Sequence, residues 1–170
     1  KKLTLLLKDL QHYSDAKLNE QPEEDAWSVL QIMQHLMKAE DGAVMYVKKK
    51  LSFDPELEKA GMMSNMRSIA LNMSLSSPIK IQAPDGVSGE HLLTNLTFWD
   101  VAKQWKQQRN ELETYLESLP AELYNLDVYK HPLTGKMTLS NMLSFFNKHM
   151  DRHISQIRRT LKKIDAVKQV

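Results

Sequence analysis

The chain contains no cysteine. That single absence removes disulfides, thiolate metal ligands, iron–sulfur clusters and a cysteine nucleophile, and it fits the reducing cytoplasm expected as the location. Glycine and proline are scarce, five and six in 170 residues, so there are few points at which a helix must stop. Charge of one sign is also lacking. The 23 basic and 21 acidic side chains leave a formal net charge of +2, so no global field draws the protein toward nucleic acid or anionic lipid. Apolar runs are short, Leu5 to Leu7 being typical, whereas a membrane span needs roughly 20 residues. No membrane partner is expected.

What is present is ordinary for a globular domain: 42% apolar and 26% charged residues. The length suits one hydrophobic core, so residues 1–170 are expected to form a single domain. Leu, Met, Lys, Gln and Glu dominate, and these are good helix formers. The expected fold class is therefore all-α, a four-helix bundle with one long crossover connection. Leu3, Leu6, Leu7, Leu10 and Tyr13 recur at helical spacing and predict a first helix over roughly residues 2 to 18. Ser28 with Gln31 reads as a capping box opening a second helix to about residue 50. Its buried stripe uses Ile32, Leu36, Ala39, Ala43 and Val47, with His35 at the edge. Residues 56 to 73 carry Leu57, Met62, Met66, Ile69 and Met73 in a looser helical pattern. From Ser76 to Leu93, Pro78, Pro84, Gly86 and Gly89 break any period, and the stretch reads as the crossover. Thr97 with Asp100 caps a third helix carrying Trp99, Ala102, Trp105, Leu112, Leu116 and Leu119 up to Pro120. A turn at His131-Pro132-Leu133-Thr134-Gly135 follows, and Thr138 caps a last helix to about residue 166.

On that last helix Leu139, Met142, Leu143, Phe146, Ile154, Ile157 and Leu161 trace a core-facing stripe, and His149 and His153 fall on it one turn apart. Two imidazoles stacked at that spacing can chelate one ion. They can equally be core histidines satisfied by hydrogen bonds, and spacing alone leaves both readings open. His35 joins them only if the second and last helices are neighbours. His12 and His91 are expected at the surface, and His131 fits either a structural hydrogen bond or a site role.

In order along the chain, Ala26-Trp27-Ser28, Gln34-His35-Leu36, Ile81-Gln82-Ala83-Pro84-Asp85-Gly86-Val87, His131 through Leu139, and His149-Met150-Asp151-Arg152-His153 through Ile157 resemble the DinB/YfiT-like superfamily. The resemblance covers nearly the whole chain. It implies a four-helix bundle holding one divalent metal ion through one histidine of the second helix and two of the last, here His35, His149 and His153. Relatives often carry an acid directly after the first histidine of the last helix; this chain has Met150. Homodimers are implied by resemblance only.

Three neutral nitrogen ligands leave an ion its positive charge and an open position, a catalytic rather than a closed structural pattern. Zinc or nickel suits imidazole best, with iron or manganese also compatible. The resemblance implies transfer of a low-molecular-weight thiol such as bacillithiol to a small-molecule electrophile. The alternatives are a metal-dependent hydrolase and a non-catalytic, metal-binding stress-response protein. No general acid or base stands out. Gln156, one turn below His153, reads either as a ligand-shell partner or as a plain helix residue, and Asn147 and Asp151 as solvent-facing. The basic run Arg152, Arg158, Arg159, Lys162, Lys163 and Lys168 complements a helix C-terminus without needing nucleic acid. Met62, Met63, Met66 and Met73 read as core packing, and Trp27, Trp99 and Trp105 as anchors between helices.

Overall fold

The computed structural model describes residues 1–59, 61–76 and 92–167, with all their side chains except those of Met62, Met63, Ser76 and Val167. The expected crossover, the motif at 81–87 and His91 lie outside the described residues. Among the described residues six α-helices are seen: α1 (Lys2–Leu10), α2 (Asp15–Asn19), α3 (Val29–Leu51), α4 (Met62–Ser76), α5 (Phe98–Glu117) and α6 (Leu139–Val167). A 3-10 turn at Ala121–Asn125 and a two-stranded hairpin, β1 (Tyr129–His131) and β2 (Gly135–Met137), connect α5 to α6. The architecture is the expected helical bundle with a small sheet added.

Capping residues set the helix starts as the sequence indicates. Ser28 Oγ accepts from the Gln31 amide at 3.2 Å while Gln31 Oε1 accepts from the Ser28 amide at 2.9 Å, so two otherwise orphaned donors are satisfied together. Thr97 accepts from the Asp100 amide at 3.2 Å and Thr138 from the Asn141 amide at 3.0 Å.

Three expectations are corrected. The helix predicted over residues 2 to 18 is broken in two, because Ser14 leaves helical geometry and its side chain accepts from the Lys17 amide to start α2. On α4 the apolar stripe faces outward: Met66, Ile69 and Met73 are exposed, and Ser64, Ser68, Leu71 and Leu75 face inward. The inward serine at position 64 is satisfied by donating to Asp127 Oδ1 at 2.7 Å, so a polar residue takes a position that periodicity assigns to an apolar one. Trp99 is exposed rather than an anchor, whereas Trp105 is fully buried.

The core is in two parts. Leu6, Leu7, Leu10 and Leu18 from α1 and α2 pack with the first half of α3, with Phe98 to Trp105 of α5 and with Met150, Ile157 and Leu161 of α6. Ala43, Val44 and Val47 pack with Leu71, Leu75, Leu112, the hairpin and the start of α6. Helices α3, α5 and α6 contribute to both parts, α1 only to the first and α4 only to the second. Between the two parts in sequence order lies Glu40, 1% exposed. It pairs with Arg109 and accepts from Trp105 Nε1 at 3.2 Å. Burial nevertheless pushes its carboxyl pKa up, against the pull of Arg109.

The hairpin pairs Tyr129 with Met137, Lys130 with Lys136 and His131 with Gly135. Gly135 has φ +84°, a left-handed conformation that costs glycine nothing. This alternation turns Lys130 to solvent and His131 inward.

Leu30 is fully buried and Leu5 is 56% exposed, although both read as helix leucines. Leu30→Ala is expected to lose about 2–5 kcal/mol of stability and Leu5→Ala to stay within about 0.5 kcal/mol, as read by urea denaturation. Equal losses would contradict this placement of the core.

Candidate metal centre

The α3–α6 contact brings together the three histidines of the family motif. His35 on α3 and His149 and His153 on α6 are 4%, 8% and 7% exposed. His35 Nε2 lies 3.3 Å from His149 Nε2, and His153 Nε2 lies 3.0 Å from the same atom. One candidate donor atom from each of the three falls within 4.8 Å of the others. The four-residue spacing on α6 stacks two rings on one helical face, and the capping box at Ser28 sets the register that delivers the third.

This packing is poorly served by protons. A ring nitrogen carries either one proton or one lone pair, so His149 Nε2 cannot form a good hydrogen bond with both neighbours at once. A cation between the three resolves the conflict, because every Nε2 then offers its lone pair to the same point. The two separations from His149 Nε2, 3.3 and 3.0 Å, are close to the roughly 3.3 Å between nitrogen ligands of a tetrahedral zinc. No carboxylate belongs to the cluster among the described residues.

The protonation of the rings agrees with ligation. Burial, reinforced by the neighbouring His153 and His35, lowers the His149 pKa to about 2. Burial and His35 lower that of His153 to about 3. Both imidazoles are therefore neutral at physiological pH, the form in which they ligate.

Side chains around the rings fix their orientation. Trp27 lies against His35 with centroids 4.9 Å apart, and Phe145 stacks on His149 at 5.1 Å and 17°. His153 Nδ1 is 2.8 Å from Gln156 Oε1, so Gln156 sits against the candidate ligand His153. Gln34, next to His35, clamps the Leu93 backbone through two hydrogen bonds of 2.9 Å. Neither the Phe145 stack nor the Gln34 clamp was read from the sequence; aromatic residues one turn before a candidate ligand are the signal that points to the former.

The remaining candidates fall elsewhere. His131 is buried, packs edge-on against Phe145 at 4.7 Å and accepts from the Leu133 amide through Nδ1 at 3.2 Å. It sits in the hairpin beside the three-histidine group rather than in it, and burial lowers its pKa to about 4. His12 is exposed, as expected. Asn147 is exposed, and Asp151 is a surface residue paired with Lys2 at 2.7 Å. Met150 is buried in the core with its Sδ 3.9 Å from Arg109 Nη2, so no acid is supplied from that position.

A tri-histidine cluster buried between two helices of a bundle defines a metalloprotein-like site on a helical scaffold. The model of the DinB superfamily matches residues 1–157, and the chain belongs to that superfamily. By sequence it is similar to the uncharacterized protein YuaE of Bacillus subtilis (strain 168), 25% identical over 165 residues, spanning 92% of this chain and 91% of that one. Among solved structures it is similar to YfiT from Bacillus subtilis, described as a probable metal-dependent hydrolase with an unusual four-helix bundle topology. That match has a TM-score of 0.59 and 16% identity, and it covers 96% of this chain and 82% of that one. The likeness to YfiT carries the fold. No described helix is long and apolar enough to cross a membrane.

The depressed histidine pKa values carry a pH dependence. The unfolded chain recovers values near 6.5 and takes up protons that the folded state refuses, so stability falls as pH drops below that value. Glu40, with its raised pKa, opposes this as a single group against three. For metal-free protein the urea midpoint is expected to be lower at about pH 5 than at about pH 7.5. A midpoint that is flat across this window would contradict neutral, buried rings.

Proposed function

We propose that this chain is a metal-dependent enzyme in which His35, His149 and His153 hold one divalent ion, zinc or nickel first, and a small nucleophile brought in from solution attacks an electrophilic substrate. The observation that carries the reading is the convergence of three buried imidazoles, with His149 Nε2 shared between two contacts. A divalent ion held by His35, His149 and His153 would supply Lewis-acid chemistry, lowering the pKa of a water or thiol toward neutrality.

The leading substrate pair is a low-molecular-weight thiol, such as bacillithiol, and a small electrophile. The chain has no cysteine, so the sulfur must be a cosubstrate. The chain's own part is to hold His149 and His153 neutral by burial, to orient the three rings through Trp27, Phe145 and Gln156, and to keep them out of bulk water. Hydrolysis is the second reading. It is favoured by the whole-chain likeness in fold to YfiT, itself described as a probable metal-dependent hydrolase.

Elemental analysis of untagged protein is expected to find close to one ion per chain, lost in the His149→Ala, His153→Ala double variant. Wild type that takes up no metal after reconstitution would end the metalloenzyme reading. With loaded protein, a panel of electrophiles with and without thiol is then run beside thiol-free esters and amides. Product that requires the thiol supports transfer, and thiol-independent cleavage supports hydrolysis. No turnover in either panel would count against an enzyme.

A further inference from the structure

Gln156 lies on α6 three residues beyond His153, half-buried, with its side-chain oxygen 2.8 Å from His153 Nδ1. An amide oxygen accepts and does not donate, so a hydrogen bond of this length requires a proton on Nδ1. A neutral imidazole has only one such proton, and the other nitrogen is then a bare lone pair. That other nitrogen, Nε2, is the atom that faces His149 at 3.0 Å.

We infer that Gln156 is the positioning residue of the site: its carbonyl oxygen holds the His153 proton on Nδ1 and so commits the Nε2 lone pair to the point where the three rings converge. The consequence for metal rests on the metalloenzyme reading above. The tautomer does not, because it belongs to the metal-free protein.

Two observations distinguish this from a plain surface glutamine. The bond joins residues three apart on one helix, so α6 itself sets the reach, and no tertiary movement is needed to make or break it. Gln156 also acts on His153 in a way that Trp27 and Phe145 cannot act on the other rings. A ring face sets an orientation, whereas a hydrogen bond sets both orientation and tautomer. Turned end for end, the amide would donate to Nδ1, leave the proton on Nε2 and aim it into the cluster. The two arrangements therefore predict opposite tautomers.

The test uses full-length wild type, Gln156→Leu and Gln156→Glu, each with 15N-labelled histidine. In metal-free wild type, the His153 nitrogen shifts are expected to show a protonated Nδ1 and a bare Nε2. The leucine variant is expected to lose that preference and the glutamate variant to keep it. Zinc affinity, read by competition with a chromophoric chelator, is expected to fall roughly 10- to 100-fold in Gln156→Leu and to return to the wild-type value or better in Gln156→Glu.

A His153 proton found on Nε2 in the wild type would overturn the inference. So would a leucine variant with unchanged tautomer and zinc affinity, or a folded glutamate variant that binds zinc more weakly than wild type. Should the leucine variant fail to fold, the wild-type tautomer and the glutamate variant decide the matter. Wild type that takes up neither zinc nor any other divalent metal, yet shows a Gln156-dependent Nδ1 proton, would sink the metalloenzyme reading while upholding this one.

Discussion

One nitrogen atom, His149 Nε2, stands within 3.3 Å of two others of its own kind, and the packing of the molecule is organised around tolerating that. That shared nitrogen cannot form a good hydrogen bond with both neighbours at once, and its ring is buried. Such an arrangement persists only if the surrounding structure holds it in place. Helices α3 and α6 provide the rings, and both run through the two parts of the core, so neither helix can rotate without disturbing packing at both ends. The capping box at Ser28 and the cap at Thr138 fix where each helix begins, and hence which residues fall on the inner face.

The buried charge at Glu40 plays a complementary part. It is one and a half turns along α3 from His35, and it reaches α5 through Arg109 and Trp105. Helix α3 is thus tied to α6 by imidazoles and to α5 by an ion pair. An ion pair this buried adds little net stability over a well-packed apolar pair, but a wrong register would strand the carboxylate, at a cost of roughly 3–5 kcal/mol. Arg109 also touches Met150, the neighbour of His149, so the polar link and the histidine cluster share a boundary. On the other side, the hairpin packs His131 on Phe145, and Phe145 on His149, which carries the order of the β-turn to the ring cluster.

Much of this was legible in the sequence, for identifiable reasons. Helix starts were, because Ser28, Thr97 and Thr138 act locally, on amides three residues away. The pairing of His149 with His153 was, because helical spacing is a local rule. His35 was not accessible to spacing, since its place depends on which helices are neighbours, and only the family motifs connected it to the other two. On α4, Met66, Ile69 and Met73 suggested a buried stripe, but the buried side belongs to small hydroxyls that find partners such as Asp127; periodicity weighs hydrophobicity and cannot see a partner sixty residues away. The break at Ser14 was missed because the leucine pattern runs through it, while the capping preference of one serine overrides that pattern. The hairpin appeared only as a turn, its strands being three residues each, too short to show alternation.

The histidines that converge are 114 residues apart in the chain for the pair linking α3 to α6. An ion seated among them would therefore act as a cross-link, closing a loop that spans most of the protein. The entropy removed from an unfolded chain by such a closure grows only with the logarithm of loop length, yet it is already near its useful maximum at this span. In a chain without a single cysteine, this would be a reversible staple, set by metal supply rather than by redox state. Starving the protein of metal would then loosen its fold as well as empty its site, coupling how long the molecule lasts to whether it is equipped to work.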